Sequence, residues 1–506
     1  MEPIKEEILP EENQKKENPL FPFMGIGSLI YAAFYTFCLY KNSSGITYPF
    51  FVGGTCLFFF FYLKKSGITA KKFSLFLIIS LFLLGLCTCL TDSYILRAYN
   101  KLGIFFLFFY MVLHNLYEDK DWDIPKYLGS IINILFSSLV FLFRPFTDFL
   151  TFWNAEKKKN RKSDGKGKYV FAGILIALPL LFVILILLYE ADAVFSSFFD
   201  QLFIFDIYFE GDIWGIIFLF AFIFFASYCI MTRLSVHDLK ENLPDKRTAE
   251  PIIAITFTAL ISLVYLIFCY IQVVYLFGGF GTLPEGYTYA AYAREGFFQL
   301  VFVCLINLAL VLVCTKRFRE NKVLKGILTF ISACTYIMIA SSAYRMLLYI
   351  QTYYLTFLRL FVLWTLLILS LLMAGALVMI YRKSFPLTRY YVITITVLYL
   401  VFSFAHPDYW IARYNLNHIY WSQETIVDYQ DRYGYDDFHY LRRLSADAAP
   451  AIFENAEKLG YEDENWFLNY VEDTSIKASI WDKQTIKQWN LSRWTAMKLL
   501  SSHSAH

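Results

Sequence analysis

Charged side chains are sparse in this chain, and several stand at the ends of long apolar runs, where they could hold a ligand or move a proton. Asp192 follows one run beside Glu190, Arg294 and Glu295 open another, Arg345 closes a third, and Arg359 comes fourteen residues later. Asp408, Arg413 and Asn415 lie in Phe404-Ala-His-Pro-Asp-Tyr-Trp-Ile-Ala-Arg-Tyr-Asn-Leu-Asn-His418, just past the last run. Arginines and carboxylates at the mouths of apolar segments suit an anionic or zwitterionic ligand, and Asp408 or Glu295 would be the base if the site were catalytic. The competing reading is that these groups reach the interface and pair with one another, locking the C-terminal tail down. Gln272, Gln299 and Asn307 lie deeper, where amides bond between helices.

Other chemistry leaves little trace. Phosphate-binding, metalloprotease, nucleophile-elbow and dinucleotide motifs are missing, so no cofactor is implied. The nine cysteines (38, 56, 87, 89, 229, 269, 304, 314 and 334) fall in or beside apolar segments, which gives neither a disulfide framework nor a zinc set. His114 has no obvious partner and reads as structural, and the spacing of His503 and His506 reads as chance rather than a metal site. The acidic groups Asp436-Asp437 and Glu462-Asp463-Glu464 read as solvated surface.

The elements that must position these groups are membrane helices. Only 17% of the 506 residues are charged and 58% are hydrophobic, whereas a soluble chain carries about a quarter charged residues. Net charge is +3, too small for a nucleic-acid surface. After a polar tail at 1–20, apolar segments run at 21–40, 46–63, 73–91 and 101–117. More follow at 168–189, 212–232, 251–277, 294–315, 323–345, 355–381 and 389–405, which makes eleven spans. Between the two groups, 118–167 is read as an amphipathic helix at 128–150 on the cytoplasmic face plus a basic loop. A twelfth span is the alternative there.

Lysine and arginine orient the spans. Loops 64–72, 144–168, 233–250, 316–325 and 382–389 are basic, whereas 190–211, 278–293 and 346–354 have no Lys or Arg. The alternation puts the N-terminus in the cytoplasm and 406–506 outside it. In that tail Pro407 suits a first helical turn, with Asp408 facing the positive helix end. Pro450 opens a helix with the stripe Ile452, Phe453, Ala456 and Leu459, and a further helix is predicted over Lys483–Leu500. The tail would either fold as a small helical domain or pack on the membrane part. The chain thus divides into 1–20, a four-span part 21–117, the segment 118–167, a seven-span part 168–405 and the tail 406–506.

Several strings carry a family resemblance. They are Tyr292-Ala-Arg-Glu-Gly-Phe-Phe-Gln-Leu300, Ala343-Tyr-Arg-Met-Leu-Leu-Tyr349, Pro407-Asp-Tyr-Trp-Ile-Ala-Arg-Tyr-Asn415, Leu444-Ser-Ala-Asp447 and Asn490-Leu-Ser-Arg493. With Ile176-Ala-Leu-Pro179 and Ala191-Asp-Ala-Val-Phe195, they resemble a bacterial family of polytopic membrane proteins known only as a domain of unknown function. The resemblance spans roughly 70–500, and where that family reads Asn-Pro-Asp this chain has His406-Pro-Asp. It implies a bacterial cytoplasmic membrane and no activity, substrate or cofactor. The fold expected is therefore all-α, a polytopic bundle of about eleven spans with an extracytoplasmic helical tail. Its function is expected to be that of a non-enzymatic sensor, accessory or assembly factor, with membrane lipids and an envelope protein or small-molecule ligand as partners and no nucleic acid. The alternatives are a secondary transporter of a small polar or anionic solute and an enzyme acting on lipid or envelope precursors.

Overall fold

The computed structural model describes residues 21–159, 192, 212–236, 239, 247–277, 297–382, 384–425, 440–459 and 465–503. Among these the chain is helical, apart from one isolated parallel bridge between Ala249 and Phe318. Helix is the expected outcome for long apolar runs, because in hydrocarbon each backbone N–H and C=O must find its partner within its own segment. Eight of the described helices are long and apolar enough to cross a membrane.

The described residues fall into two compact units. The first takes Met1–Lys41, Thr55–Ala70 and Leu128–Leu239. It contains α1 (Phe21–Leu39), the second half of α2 (Thr47–Lys65), most of α5 (Ile124–Ser138), α6 (Arg144–Lys159) and α7 (Asp212–Leu234). Here α1 packs along α7, and α6 touches both. Arg233 of α7 hydrogen bonds to Asn133 and Ser137 of α5. Asp148 of α6 accepts from Tyr228 at 2.9 Å and pairs with Arg144 at 2.9 Å.

Asn133, Ser137 and Ser138 interrupt the otherwise apolar stretch 128–143. Asn133 and Ser137 turn toward α7, while Phe136, Leu139, Val140 and Phe143 are exposed. α6 starts at Arg144-Pro145, with proline in its first turn.

The second unit takes Asn42–Gly54, Lys71–Tyr127 and Lys240–His506. α3 (Ser74–Leu90) and α4 (Tyr94–Leu116) form a hairpin. α8 (Pro251–Ile271) continues as a π-helical turn, Gln272–Phe277, and is followed by α9 (Phe297–Arg317), α10 (Lys322–Tyr353), α11 (Phe357–Tyr381) and α12 (Leu387–Phe404). α10 packs on α8, α9 and α11, and α12 packs on α11 and on α3 and α4. Between α4 and α12, Asn100 accepts from Tyr399 at 2.7 Å and Ser403 at 3.0 Å. Sequence punctuation sets the boundaries, with Pro251 in the first turn of α8 and Asn321 capping α10 through the Val323 and Leu324 N–H groups.

The tail helices do not form a compact unit of their own. α13 (Pro407–Thr425), α14 (Ala449–Leu459), α15 (Asn465–Trp481) and α16 (Leu491–His503) share one apolar core with α9, α10 and α11. Ile411, Ala412 and Leu416 are buried in the same cluster as Leu355, Val362 and Leu366. The Pro450 helix is present as α14, with Ile452, Phe453 and Ala456 buried, and the last predicted helix is split into a turn at Ile486–Gln488 and α16. The remaining apolar runs in described residues are helices, but α4 starts seven residues before the boundary read at 101 and α10 ends eight residues after the one read at 345. The run at 168–189 lies outside the described residues.

Candidate functional site

α3 and α4 are joined by Thr91-Asp-Ser93, and the tail closes over this corner. Asp447, whose side chain is fully buried, accepts from the Asp92 N–H at 2.7 Å, from the Thr91 hydroxyl, and from His406 at 3.1 Å. Asp92 in turn accepts from Arg493 at 2.7 Å and lies 3.7 Å from Arg97, and the other arm of Arg97 donates to Ser44 at 2.9 Å. Asn490 starts α16 by accepting from the Arg493 N–H, and its amide donates to the Thr91 carbonyl at 2.9 Å. Ser492 donates to the Leu90 carbonyl at 2.7 Å. Tail residues thus satisfy the carbonyls that α3 leaves open at its end, as well as the N–H at the corner.

Two carboxylates here titrate in opposite directions. Burial alone would raise Asp447, but the His406 bond and charge, then Thr91 and the Asp92 N–H, hold it below the usual carboxylate range. Asp408, in the first turn of α13, is pushed up mainly by burial and also by the Asp447 charge. Ser445 opposes the rise by donating its hydroxyl at 2.5 Å and its N–H at 3.3 Å.

For Asp408 the stability linkage has a definite sign. A carboxyl raised in the folded state contributes stability that is complete below its unfolded pKa of about 3.9. That contribution is lost as pH rises through the raised value. Asp408→Asn keeps an acceptor for Ser445 and cannot ionise. It should therefore be at least as stable as wild type at pH 7, with the advantage disappearing below pH 4. Thermal unfolding of both proteins from pH 3.5 to 8 checks this, and a variant that is less stable at pH 7 than at pH 4 relative to wild type would contradict it.

His406 occupies the turn from α12 to α13 at φ 49, in the left-handed region that asparagine enters more readily than most residues. From that turn its imidazole reaches Asp447.

The other candidates are placed as follows. Asn415 is buried, and its amide clamps both backbone groups of Leu355, accepting at 2.8 Å and donating at 2.9 Å. Arg359 donates to the Tyr353 and Tyr354 carbonyls and lies over the Tyr349 ring at 4.3 Å. Together these side chains satisfy the turn between α10 and α11, where Tyr354 has φ 61. Arg413 is exposed, 3.3 Å from the Tyr409 hydroxyl and over the Trp410 ring. Arg345 is buried and donates to the Gln272 amide oxygen at 3.2 Å, and Ser341 donates to the same oxygen at 2.6 Å. Arg294 and Glu295 lie outside the described residues. Asp192 is exposed and belongs to the first unit, whereas the others belong to the second.

The deeper amides divide. Asn307 bonds Tyr265 and Thr335 across helices, Gln272 bonds α10, and Gln299 is exposed. His114 does have a partner, Asp119 at 2.6 Å, which the turn after α4 folds back onto it. The nine cysteines are buried free thiols.

Sequence reading missed Thr91, Asp92, Arg97 and Arg493 as members of the junction. The available signal was a three-residue polar link between two apolar runs with an arginine one turn into the second, and the boundary set at 101 left that arginine in a loop. The strings around Asp447 and Arg493, noted only for their resemblance, meet here with that of Asp408, a candidate in its own right.

No curated protein and no solved structure matches the chain significantly. A family model for a domain of unknown function matches residues 78–455, which takes in most of α3, all of α4 and Asp447. This multi-pass helical membrane protein therefore belongs to the family described as domain of unknown function DUF4153.

Proposed function

We propose that the protein is a non-enzymatic sensor, accessory or assembly factor of a bacterial cytoplasmic membrane, which uses the face capped by its tail helices to engage an envelope partner or ligand. The observation that carries this reading is how the polar groups at the junction are used. Asp447, Asp92, Arg97 and Arg493 are bonded to one another, to backbone and to tail side chains, which makes a fixed cap rather than an exposed base or nucleophile. Around the cap, Trp410, Leu468, Ile476, Ile480 and Trp494 stay exposed, the kind of side chain that anchors a partner or a membrane interface.

Orientation is part of the proposal. The basic loops 316–325 and 382–389 lie at the end of the second unit opposite the tail, which agrees with a cytoplasmic placement of that end. The outward-facing apolar residues of α5 favour a crossing by Ile124–Phe141 over a surface-lying helix. Single cysteines at Ser475 and Lys322, each in a cysteine-free background, test the orientation. Labelling of Ser475→Cys only from outside and of Lys322→Cys only from the cytoplasm supports the reading. A cytoplasmic Ser475→Cys removes its basis.

One observation favours a second reading, a secondary transporter. Buried Arg345 is held by Gln272 where α8 gives way to a π-helical turn, a break of the kind found where a helix lines a binding site. Alternating two-sided access of a cysteine at Ser341 would move the assignment there.

A further inference from the structure

At the other end of the second unit, away from the tail, the ends of several helices surround an open cavity of about 720 Å³. Its walls come from the turn after α4, the end of α9, the end of α11 and the loop that starts α12. Ligand pockets run from about 300 to 1,000 Å³, so the space suits an organic molecule or a lipid headgroup better than a bare ion.

The charges lining it are not all committed. Asp123 pairs with Lys316 at 3.2 Å. Asp119 is hydrogen-bonded to His114 at 2.6 Å and pairs with Lys71 at 3.7 Å. Arg247 pairs with Glu320 at 3.3 Å. Arg389 has its guanidinium over the Phe73 ring at 4.8 Å and, among the described residues, no hydrogen bond or ion pair. Lys120, exposed at the rim, has none either. Asp121 is the remaining carboxylate, so the uncommitted lining groups carry a surplus of one positive charge. The first turn of α12, Leu387–Arg389, also borders the cavity and has no side-chain cap, which adds its positive end to the field.

We propose that this cavity binds the phosphate group of a phosphorylated organic anion or an anionic lipid headgroup, with Arg389 and Lys120 as the cations that take it. Arg389 supplies a planar donor fork, already positioned by its aromatic neighbour, and Lys120 supplies a mobile ammonium at the entrance. A basic pocket between helix ends at headgroup depth is a recurrent arrangement for anionic lipid headgroups. The inference is independent of the tail-face reading and uses none of the residues of the cap.

The test is carried out on the full chain in neutral detergent, with Arg389→Gln, Lys120→Gln and the double variant beside wild type. Thermal unfolding is followed against glycerol 3-phosphate, against mixed micelles of phosphatidylglycerol or phosphatidylcholine, and against sodium chloride at matched ionic strength. Wild type should be stabilised by glycerol 3-phosphate or by phosphatidylglycerol beyond the chloride control. Each single substitution should weaken the apparent affinity about tenfold or more. Stabilisation by phosphatidylglycerol alone identifies a lipid headgroup, and stabilisation by glycerol 3-phosphate identifies a soluble phosphorylated anion. The proposal is overturned if neither probe exceeds chloride, if phosphatidylcholine acts as strongly, or if the double variant responds like wild type. Should Arg389→Gln fail to fold, Lys120→Gln at the exposed rim gives the same decision.

Discussion

Asp447→Ala should loosen the C-terminal helices and lower the stability of the second unit by about 3–5 kcal/mol, the range for removing one partner from a buried charged network. The carboxylate is fully buried and serves three donors at once: the Asp92 N–H, the Thr91 hydroxyl and His406. Alanine leaves the Thr91 hydroxyl and the Asp92 N–H without this acceptor at a fully buried position, and His406 without its carboxylate partner. Asp447→Asn retains one oxygen and should lose only about 1–2 kcal/mol. Exposed Arg413→Ala serves as the control and should stay within about 0.5 kcal/mol of wild type. Hydrogen exchange at Leu491–His503 is the local readout. Exchange there should accelerate in Asp447→Ala and hardly change in Arg413→Ala. Unchanged protection in Asp447→Ala would mean that the tail is held by its apolar contacts alone.

Gly45→Ala should act on the same docked segment through space rather than charge. A Cβ at Gly45 would fall 2.0 Å from the Lys487 carbonyl oxygen and 2.6 Å from Gln488 Cα, both of them backbone atoms. The glycine has no left-handed φ, so close approach is its only function there. Asn42 fixes that approach by donating to the same Lys487 carbonyl at 3.0 Å. The turn Ile486–Gln488 must move away, at a cost of about 3 kcal/mol or more, the upper range for overpacking. Gly326→Ala in α10, where a Cβ meets nothing within 4 Å, should instead be neutral or stabilising by up to about 1 kcal/mol. Unfolding midpoints of the two variants, measured together, decide it. Equal midpoints would show that the 486–488 turn is not tightly seated.

The helices were legible because a lipid environment allows an apolar run few other structures. The tail was legible only in part. α14 announces itself with a proline and a clean apolar stripe, but α15 scatters Phe467 and Tyr470 toward the core and Leu468, Ile476 and Ile480 toward the outside, so no periodic face stands out. The site was harder still. Arg359 and Asn415 look like ligand-binding groups in one dimension, yet both are occupied by main-chain atoms of a turn that the apolar pattern does not reveal. Asp447 looks like one acid among many, and its importance comes from Thr91, which lies 356 positions earlier. The cavity beside Arg389 could not be read at all, since it is assembled from four separate stretches of chain.

That long separation sets an order of events during biosynthesis. Ser492 meets the Leu90 carbonyl across 402 positions. At ribosomal speeds of about 5–20 residues per second, α3 and α4 would wait roughly 20–80 s for the segment that covers their corner. Throughout that interval the Asp92 and Arg97 side chains and the open helix end face the surroundings. Any insertion machinery or quality-control protease that inspects half-made membrane proteins would therefore find here a mark present on every nascent copy and erased on every finished one.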